Sequence, residues 1–376
     1  TIKDIPFYGM VNDNVGYLRI TNFSVNTANE TKDALISLMQ NGASNVIIDL
    51  RDNPGGLLSS SLDLLDLILP KNLELVSTKG RAGKSIKNYK TLNNALIPDT
   101  INMAVLINGA SASASEIVAG VLQDYDRAIV LGSQSFGKGL VQTVIGINQE
   151  TALKITNSKY YIPSGRSLQK REFIDDELIA NSSVVADTLF QTKAGRTVIG
   201  GGGIGPDVIV KDEGSYPLAA SILRSRGYFK FVQENNNQYS SIDEVLADEE
   251  LMVKFKTFIE KNDISGYVDG QEDLKLAKEK LSKKEEKNLF INNAFSVIEK
   301  QIEKTQSTMF EDEKEIIQRM VHGEFAFYYN GYEGRYNIYL KDDTVVQKAI
   351  EIFADESQYL SILSNTESTE VASLNN

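Results

Sequence analysis

Cysteine is absent from the 376-residue sequence, and histidine occurs once, at His322. The absence of cysteine excludes disulfide bonds and thiolate metal sites. No run of about 18 or more apolar residues occurs, so the sequence offers no candidate for a membrane-spanning helix. Basic residues are few, 39 Lys and Arg against 51 Asp and Glu, and the formal net charge is −12. This charge argues against nucleic acid and against an anionic membrane surface as partners.

The length and the residue pattern predict two regions. A chain of this size can bury a large core, and two domains are expected. Strand-like and helix-like stretches alternate up to about residue 210, which is typical of an α/β fold. From about Ser215 helical patterns dominate and charge rises. We therefore expect an α/β core over residues 1–214 and a mainly helical region over residues 215–376, in which Asp343 or Thr344 caps the last helix.

One turn with functional features follows a buried strand. Residues 45–50 read NVIIDL, a continuous apolar run that predicts a strand buried on both faces. RDNPGG comes next, and an apolar helix is predicted from Leu57 to Leu69. Glycines at such a turn let the backbone bend or approach a ligand closely. An ordinary β-α turn has the same appearance, so the stretch gains a functional interpretation only together with a second motif.

That second motif is the run of small residues in NGASASAS. The apolar run Met103–Ile107 predicts a strand before it, and the amphipathic run that begins at Ile117 predicts a helix after it. Ser111, Ser113 and Ser115 therefore lie on a strand-to-helix turn. The N–H groups and the dipole of a helix N-terminus favour negative charge. Such a turn can stabilise an oxyanion, and a serine in it can be a nucleophile if a base takes its proton.

Two residues are candidates for that base. His322 lies far along the chain in a charged helical stretch, and a Ser-His-Asp triad would depend on it alone. The other known base for a serine is a desolvated lysine. Lys138 stands in SFGKGLVQ, flanked by two glycines and close to Phe136. Burial of a lysine away from counter-charges makes the neutral amine available near neutral pH, which favours Lys138.

SASASEI, AGVLQD and SFGKGLVQ together resemble the signature of the C-terminal processing peptidases, also called tail-specific proteases. In that family the middle serine of SASAS is the nucleophile, and the lysine of FGKG follows 25 positions later, which is the spacing of Ser113 and Lys138. A glutamine four positions after the lysine orients it, and Gln142 matches that position. The resemblance therefore assigns catalysis to Ser113, Lys138 and Gln142.

The resemblance runs from about Thr1 to Val210 and includes further glycine motifs. RDNPGG resembles the family's DLRxNxGG, and the resemblance assigns the oxyanion hole to the N–H groups of Ala114 and of Gly55 or Gly56. YYIPSGRSLQ resembles YxPSGRxxQ, for which a structural turn is the plainer interpretation. GGGGIGPD resembles GGGIxPD. A nucleotide-binding loop there is disfavoured, because the G-x-G-x-x-G spacing and a following helix are missing.

The resemblance implies a fold and an activity. The fold is a crotonase-like open α/β sheet of the ClpP/crotonase type. The activity is that of a serine endopeptidase, which cuts polypeptides near apolar C-terminal tails through a Ser-Lys dyad and an acyl-enzyme, without metal or cofactor. A bacterial periplasmic or cell-envelope location is also implied. Family members usually carry a PDZ domain before the core, which docks the substrate's C-terminus on a sheet edge. We expect that domain to be missing here and substrate recruitment to differ accordingly.

Two other functions remain open at this point. A catalytically degenerate scaffold would bind peptide tails without cutting them, but it has no need to retain both the serine and the lysine. A crotonase-type acyl-CoA enzyme would use similar oxyanion amides, but such enzymes seldom need a paired serine and lysine. The C-terminal region shows no chemistry of its own. Packing on the core, covering the cleft and homo-oligomerisation through its helices are the roles open to it.

Overall fold

The computed structural model describes residues 3–80, 85–148, 150–170, 172–174, 177–179, 188–210, 214, 216–282 and 289–364. The strands are β1 (Phe7–Met10), β2 (Val15–Arg19), β3 (Asn45–Asp49), β4 (Glu74–Gly80), β5 (Ser85–Lys90), β6 (Asn102–Ile107), β7 (Ile129–Gly132), β8 (Leu140–Gly146), β9 (Ala152–Tyr161), β10 (Glu172–Ile174), β11 (Glu177–Ile179), β12 (Leu189–Gln191), β13 (Thr197–Ile199) and β14 (Val208–Ile209). The α-helices are α1 (Thr27–Gln40), α2 (Leu58–Ile68), α3 (Ala114–Asp124), α4 (Pro217–Arg224), α5 (Gly227–Asn235), α6 (Ile242–Ala247), α7 (Leu251–Lys261), α8 (Gln271–Ser282), α9 (Leu289–Asp312), α10 (Lys314–Lys341), α11 (Thr344–Ala354) and α12 (Glu356–Ser364). The chain divides into two units, Thr1–Asp212 with Asp343–Asn376, and Glu213–Asp342.

The first unit is built on an open sheet with the strand order β1-β2-β3-β6-β7-β14. β1 and β2 are antiparallel, and the other neighbours are parallel. Every residue of β3 is buried, and α1, α2 and α3 contribute to the same apolar core. Burial on both faces explains why NVIIDL lacks the alternation of a half-exposed strand. The predicted α/β core with an open sheet is confirmed.

The carboxyl ends of β3 and β6 lie side by side, because the two strands are parallel neighbours with Asp49 opposite Leu106. RDNPGG follows β3 and leads towards α2, while NGASASAS follows β6 and leads into α3. Open α/β sheets bind ligands outside the carboxyl ends of their strands. The topology thus brings together the two turns that the sequence marks as functional.

A second sheet of the first unit carries the lysine motif. Its strand order is β5-β4-β9-β8, and all its pairs are antiparallel. Lys138 immediately precedes Gly139 and the start of β8, and Gln142 lies within that strand. β8 lies at an edge of this sheet, where it pairs with β9.

The second unit is helical, which confirms the expectation for most of the C-terminal region. Its core is aromatic: the ring of Phe231 lies 4.9 Å from that of Phe255, 5.4 Å from that of Phe258 and 6.1 Å from that of Phe325. α10 is interrupted at Gly331, whose φ of 64° and ψ of −152° are not helical. Glycine accepts such a conformation at little steric cost. None of the helices in the described ranges is long and apolar enough to cross a membrane.

The end of the chain corrects the two-region division at residue 214. The structure changes unit near that boundary, but α11 and α12 return to the first unit instead of continuing the helical one. Asp343 caps α11 by accepting hydrogen bonds from the N–H groups of Val345 and Val346, as predicted. The buried hydroxyl of Tyr359 on α12 bonds the N–H and the C=O of Met103 in β6. These long-range contacts account for the return, and local patterns in the sequence do not reveal them.

Candidate active site

The turn at Ser113 has an unusual backbone conformation. Ser113 is the residue before α3, with φ 58° and ψ −112°. A positive φ is uncommon for a residue other than glycine, and such strain persists only where the surroundings enforce it. The surroundings here include the carbonyl of Asn53, which accepts a hydrogen bond from the Ala112 N–H at 3.0 Å. The strained conformation thus lies at the N-terminus of a buried helix, beside the loop that follows β3.

The three serines of the turn differ in exposure. The Ser111 hydroxyl is buried and donates to the carbonyl of Leu50 at 2.8 Å. The Ser115 hydroxyl is also buried and donates to the carbonyl of Asn53 at 3.0 Å. Ser113 is half-buried. The structure therefore uses Ser111 and Ser115 to hold the turn to the neighbouring loop, and Ser113 is the serine of the three that a substrate can reach.

Gly55 approaches this turn from the other side, Gly56 follows it beside Phe23, and the amides of the two glycines differ. A Cβ atom on Gly55 would lie 2.6 Å from the Ala112 oxygen and 2.9 Å from the Ala114 nitrogen, so only glycine fits. The Gly55 N–H donates to Oδ1 of Asn53 at 2.9 Å. Within the described ranges, the N–H groups of Gly56 and Ala114 have no hydrogen-bond acceptor. Of the two glycines that the sequence left open, Gly56 is the one with a donor available to a ligand.

Glu116 links the serine turn to the lysine motif. Its carboxylate is fully buried. Oε2 accepts from the N–H of Ser113 at 2.7 Å and from the N–H of Lys138 at 2.8 Å. Oε1 accepts from the Ser135 hydroxyl at 2.6 Å and from the N–H of Gly137 at 2.7 Å. One carboxylate thus fixes the backbone of both segments. The sequence interpretation gave Glu116 no role, although Ser followed three residues later by Glu is the capping-box pattern.

The side chains of Lys138 and Gln142 are exposed. In the part of the chain that the structure describes, no hydrogen bond joins the Lys138 amine to the Ser113 hydroxyl or to the Gln142 side chain. The desolvation that the sequence led us to expect for Lys138 is absent from this structure. The main chains of Ser113 and Lys138 are nevertheless close, because their two N–H groups share one oxygen atom. The Ser-Lys dyad stays a prediction.

The two other resembling motifs brace the lysine segment. In YYIPSGRSLQ, Oε1 of Gln169 accepts from the N–H of Gly139 at 3.0 Å. In GGGGIGPD, the N–H of Ile204 donates to the Ser135 hydroxyl at 2.6 Å, and Asp207 pairs with Arg196 at 2.5 Å. The Gln169 contact holds the residue directly after Lys138, which supports the structural interpretation of YYIPSGRSLQ. The Ile204 contact holds Ser135, whose hydroxyl donates to Glu116.

A buried ionic cluster lies under the loop that carries Gly56. Asp49 is fully buried and accepts from the Tyr17 hydroxyl at 2.7 Å and from Arg19 and Arg51, each at 2.7 Å. Burial opposes ionisation of this carboxyl, but the charges of the two arginines and their hydrogen bonds outweigh it and hold the pKa of Asp49 well below its ordinary value. The cluster thus fixes the end of β3 with an ionised Asp49.

The histidine alternative gains nothing from the structure. His322 lies on α10 in the second unit and is half-buried. Burial lowers the pKa of its imidazole. No described hydrogen bond orients that ring, whereas the base of a triad is held by a third group.

Comparison with known proteins finds two family models that match parts of this chain. Residues 14–179 match the model of peptidase family S41, and residues 218–353 match that of the C-terminal helical domain of probable PDZ-proteases. Residues 14–179 of this chain are thus similar to peptidase family S41. The matched residues include the Ser113 turn, Glu116 and Lys138. The resemblance to C-terminal processing peptidases that the motifs indicate is confirmed.

Two curated relatives agree with that match. A carboxy-terminal-processing protease of Bartonella bacilliformis is 43% identical over 163 residues, 42% of this chain and 37% of that protein. A carboxyl-terminal-processing protease of Synechocystis is 39% identical over 165 residues, 44% of this chain and 38% of that protein. The solved photosystem II D1 C-terminal processing protease is 26% identical, covers 53% of this chain and 43% of that one, and has a TM-score of 0.42. The chain spans less than half the length of these relatives.

Proposed function

We propose that the protein is a serine endopeptidase that processes polypeptides near their C-terminal ends, with Ser113 as the nucleophile. The observation that carries the proposal is the Ser113 turn. A reachable hydroxyl sits at a strained helix N-terminus, beside the loop of Gly55 and Gly56. The N–H groups of Ala114 and Gly56 lack acceptors among the described residues. Preorganised donors of this kind stabilise the oxyanion of acyl transfer. The S41 match supports the same activity.

In the proposed mechanism, neutral Lys138 takes the proton of the Ser113 hydroxyl as the oxygen attacks the scissile carbonyl. The N–H groups of Gly56 and Ala114 bind the resulting oxyanion. Collapse breaks the peptide bond, and the lysine returns the proton to the leaving amine. Water then hydrolyses the acyl-enzyme with Lys138 again as the base. Gln142 orients the lysine amine.

This mechanism requires the Lys138 side chain to turn from solvent towards Ser113. The backbone is already suited to that change. Because the two N–H groups donate to the same oxygen of Glu116, the nitrogens of Ser113 and Lys138 lie at most about 5.5 Å apart, the two hydrogen-bond lengths placed end to end. The flexible four-carbon stem of lysine spans such a gap. Substrate that covers the turn would exclude water and supply the missing desolvation.

A second candidate function is a peptide-tail-binding scaffold without catalysis. The observation that favours it is the exposed Lys138 side chain, which makes no hydrogen bond to Ser113 in the described structure. The same two N–H groups would then bind the terminal carboxylate of a peptide instead of an oxyanion. Peptide binding without turnover, unaffected by Lys138→Arg, would favour this alternative.

The substrates that we propose are polypeptides with apolar C-terminal tails, and the proposed location is the bacterial periplasm or cell envelope. Hydrolysis of an unfolded protein with an apolar tail tests the function. We expect the wild-type chain to cut it, Ser113→Ala to be inactive, and Ser111→Ala to retain cutting if it folds. A wild type that binds the tail but never cuts it would contradict the proposal.

A further inference from the structure

The start of the C-terminal segment is attached to the loop of the candidate oxyanion hole. Asp343 accepts two hydrogen bonds from Arg51, from Nη1 at 3.1 Å and from Nη2 at 2.7 Å. The side chains are mostly buried, 15% exposed for Arg51 and 18% for Asp343. Two parallel N–H···O bonds from one guanidinium fix both distance and orientation. This pair is therefore a specific junction rather than a loose surface ion pair.

The guanidinium of Arg51 is shared between two carboxylates. Its Nε and Nη2 donate to Asp49 at 3.1 and 2.7 Å, while Nη1 and Nη2 donate to Asp343. Asp49 ends β3 and is fully buried, so it holds one side of the guanidinium to the sheet. Asp343 is the partner on the other side. Removing it leaves the guanidinium with one anchor and a mostly buried positive charge.

From Arg51 the chain runs directly through the site. Asn53 O accepts from the Ala112 N–H and from the Ser115 hydroxyl, and the Gly55 N–H is held by Oδ1 of Asn53. Gly56 follows, with its available donor. A shift of the Arg51 backbone would pass along this short, hydrogen-bonded stretch to Gly56.

We propose that Asp343 is a positioning residue for the candidate oxyanion hole, which it fixes through Arg51. The inference rests on the proposed function, because it concerns the geometry of the same reaction. It makes the segment from residue 343 onward part of the reaction's support through the contact between Asp343 and Arg51.

The test is Asp343→Asn. Asparagine caps a helix about as well as aspartate, so α11 keeps the hydrogen bonds from Val345 and Val346. Its NH₂ group would take the place of the oxygen that accepts from Nη2 of Arg51, so that bond is lost and the bond from Nη1 is kept. Asp355→Asn is the matched control, because Asp355 caps the next helix through the N–H of Gln358 and makes no described contact with Arg51. Asp343→Ser keeps a cap without the amide, in case the first variant does not fold.

Two readouts are needed. Steady-state kinetics should show kcat lower by about three- to thirty-fold in Asp343→Asn, with KM changed less than about twofold. Amide hydrogen exchange, measured without substrate, should be faster at Gly55 and Ala112, whose N–H groups are bonded to Asn53. Asp355→Asn should change neither readout. A merely structural role would lower the melting temperature without changing the kcat of the folded enzyme.

The outcomes separate this inference from the proposed function. Unchanged kcat and unchanged exchange in Asp343→Asn, with an active wild type, overturn the inference and leave the proposed function standing. Faster exchange together with a wild type that does not hydrolyse peptides overturns the proposed function, and with it the catalytic role of Asp343. Faster exchange together with a lower kcat supports both.

Discussion

Replacement of Glu116 by glutamine should disrupt both halves of the site through one side chain. The carboxylate accepts four hydrogen bonds, from Ser113, Ser135, Gly137 and Lys138. A glutamine of the same shape has one oxygen and an NH₂ group, so two of these donors would face another donor. In the better orientation the amide NH₂ points to the Ser135 hydroxyl, which can accept, and the N–H of Gly137 loses its partner.

The magnitude follows from that count. One orphaned buried N–H costs about 1–3 kcal/mol. The remaining bonds weaken because they are no longer assisted by charge, but the neutral amide is less costly to bury than a carboxylate. We expect the free energy of unfolding to fall by about 1–3 kcal/mol and the rate of Ser113 modification to fall at least about tenfold, since a loss of 1.4 kcal/mol at the transition state is tenfold in rate.

Urea denaturation gives the stability change, and the rate of labelling by a fluorophosphonate probe gives the reactivity change. Glu311→Gln is a suitable control, because Glu311 is exposed and its described salt bridge is with the half-buried Lys256. Exposed pairs contribute little to stability. If Glu116→Gln matched the wild type in both stability and labelling rate, the role given to this carboxylate would be wrong.

Three further changes have defined outcomes. Lys138→Arg keeps the charge, but arginine cannot act as a base near neutral pH, so a peptidase assay should show no hydrolysis. His322→Ala should retain hydrolysis. The reverse pattern would favour the histidine triad. Gly55→Ala would place a Cβ atom 2.6 Å from the Ala112 oxygen at a residue with φ 94°. We expect the free energy of unfolding to fall by about 2–4 kcal/mol and fluorophosphonate labelling to be lost. A denaturation midpoint equal to that of the wild type would refute the close approach. Tyr359→Phe removes the hydroxyl that bonds the N–H and the C=O of Met103. The free energy of unfolding should fall by about 1–3 kcal/mol, and the kcat of the folded enzyme should stay unchanged. A fall in kcat would show that this contact also supports the site.

Local patterns in the sequence predicted the parts of the site that depend on neighbours along the chain. The strand, turn and helix around Ser113 follow from an apolar run, a run of small residues and an amphipathic run, and each signal lies within about ten residues. The choice of Ser113 from three serines came from a spacing to Lys138 that resembles a family, and the structure adds that the other two hydroxyls are buried.

The parts that the sequence did not predict depend on distant contacts or on side-chain conformation. Arg51 and Asp343 are 292 residues apart, and nothing local indicates their pairing. Glu116 belongs to a recognisable capping box, but its bonds to Gly137 and Lys138 appear only once β7 and the lysine segment are placed beside α3. The exposure of the Lys138 side chain depends on its conformation, which composition and spacing do not specify.

The central claim is that Ser113 is the nucleophile of a peptidase, and peptide mapping of a fluorophosphonate adduct tests it most directly. The wild-type chain is labelled, digested and analysed by mass spectrometry, with Ser113→Ala and Lys138→Arg alongside. We predict one adduct on Ser113 in the wild type and none in either variant. An adduct on Ser111 or Ser115, or no adduct on a wild type that still cuts polypeptides, would contradict the claim.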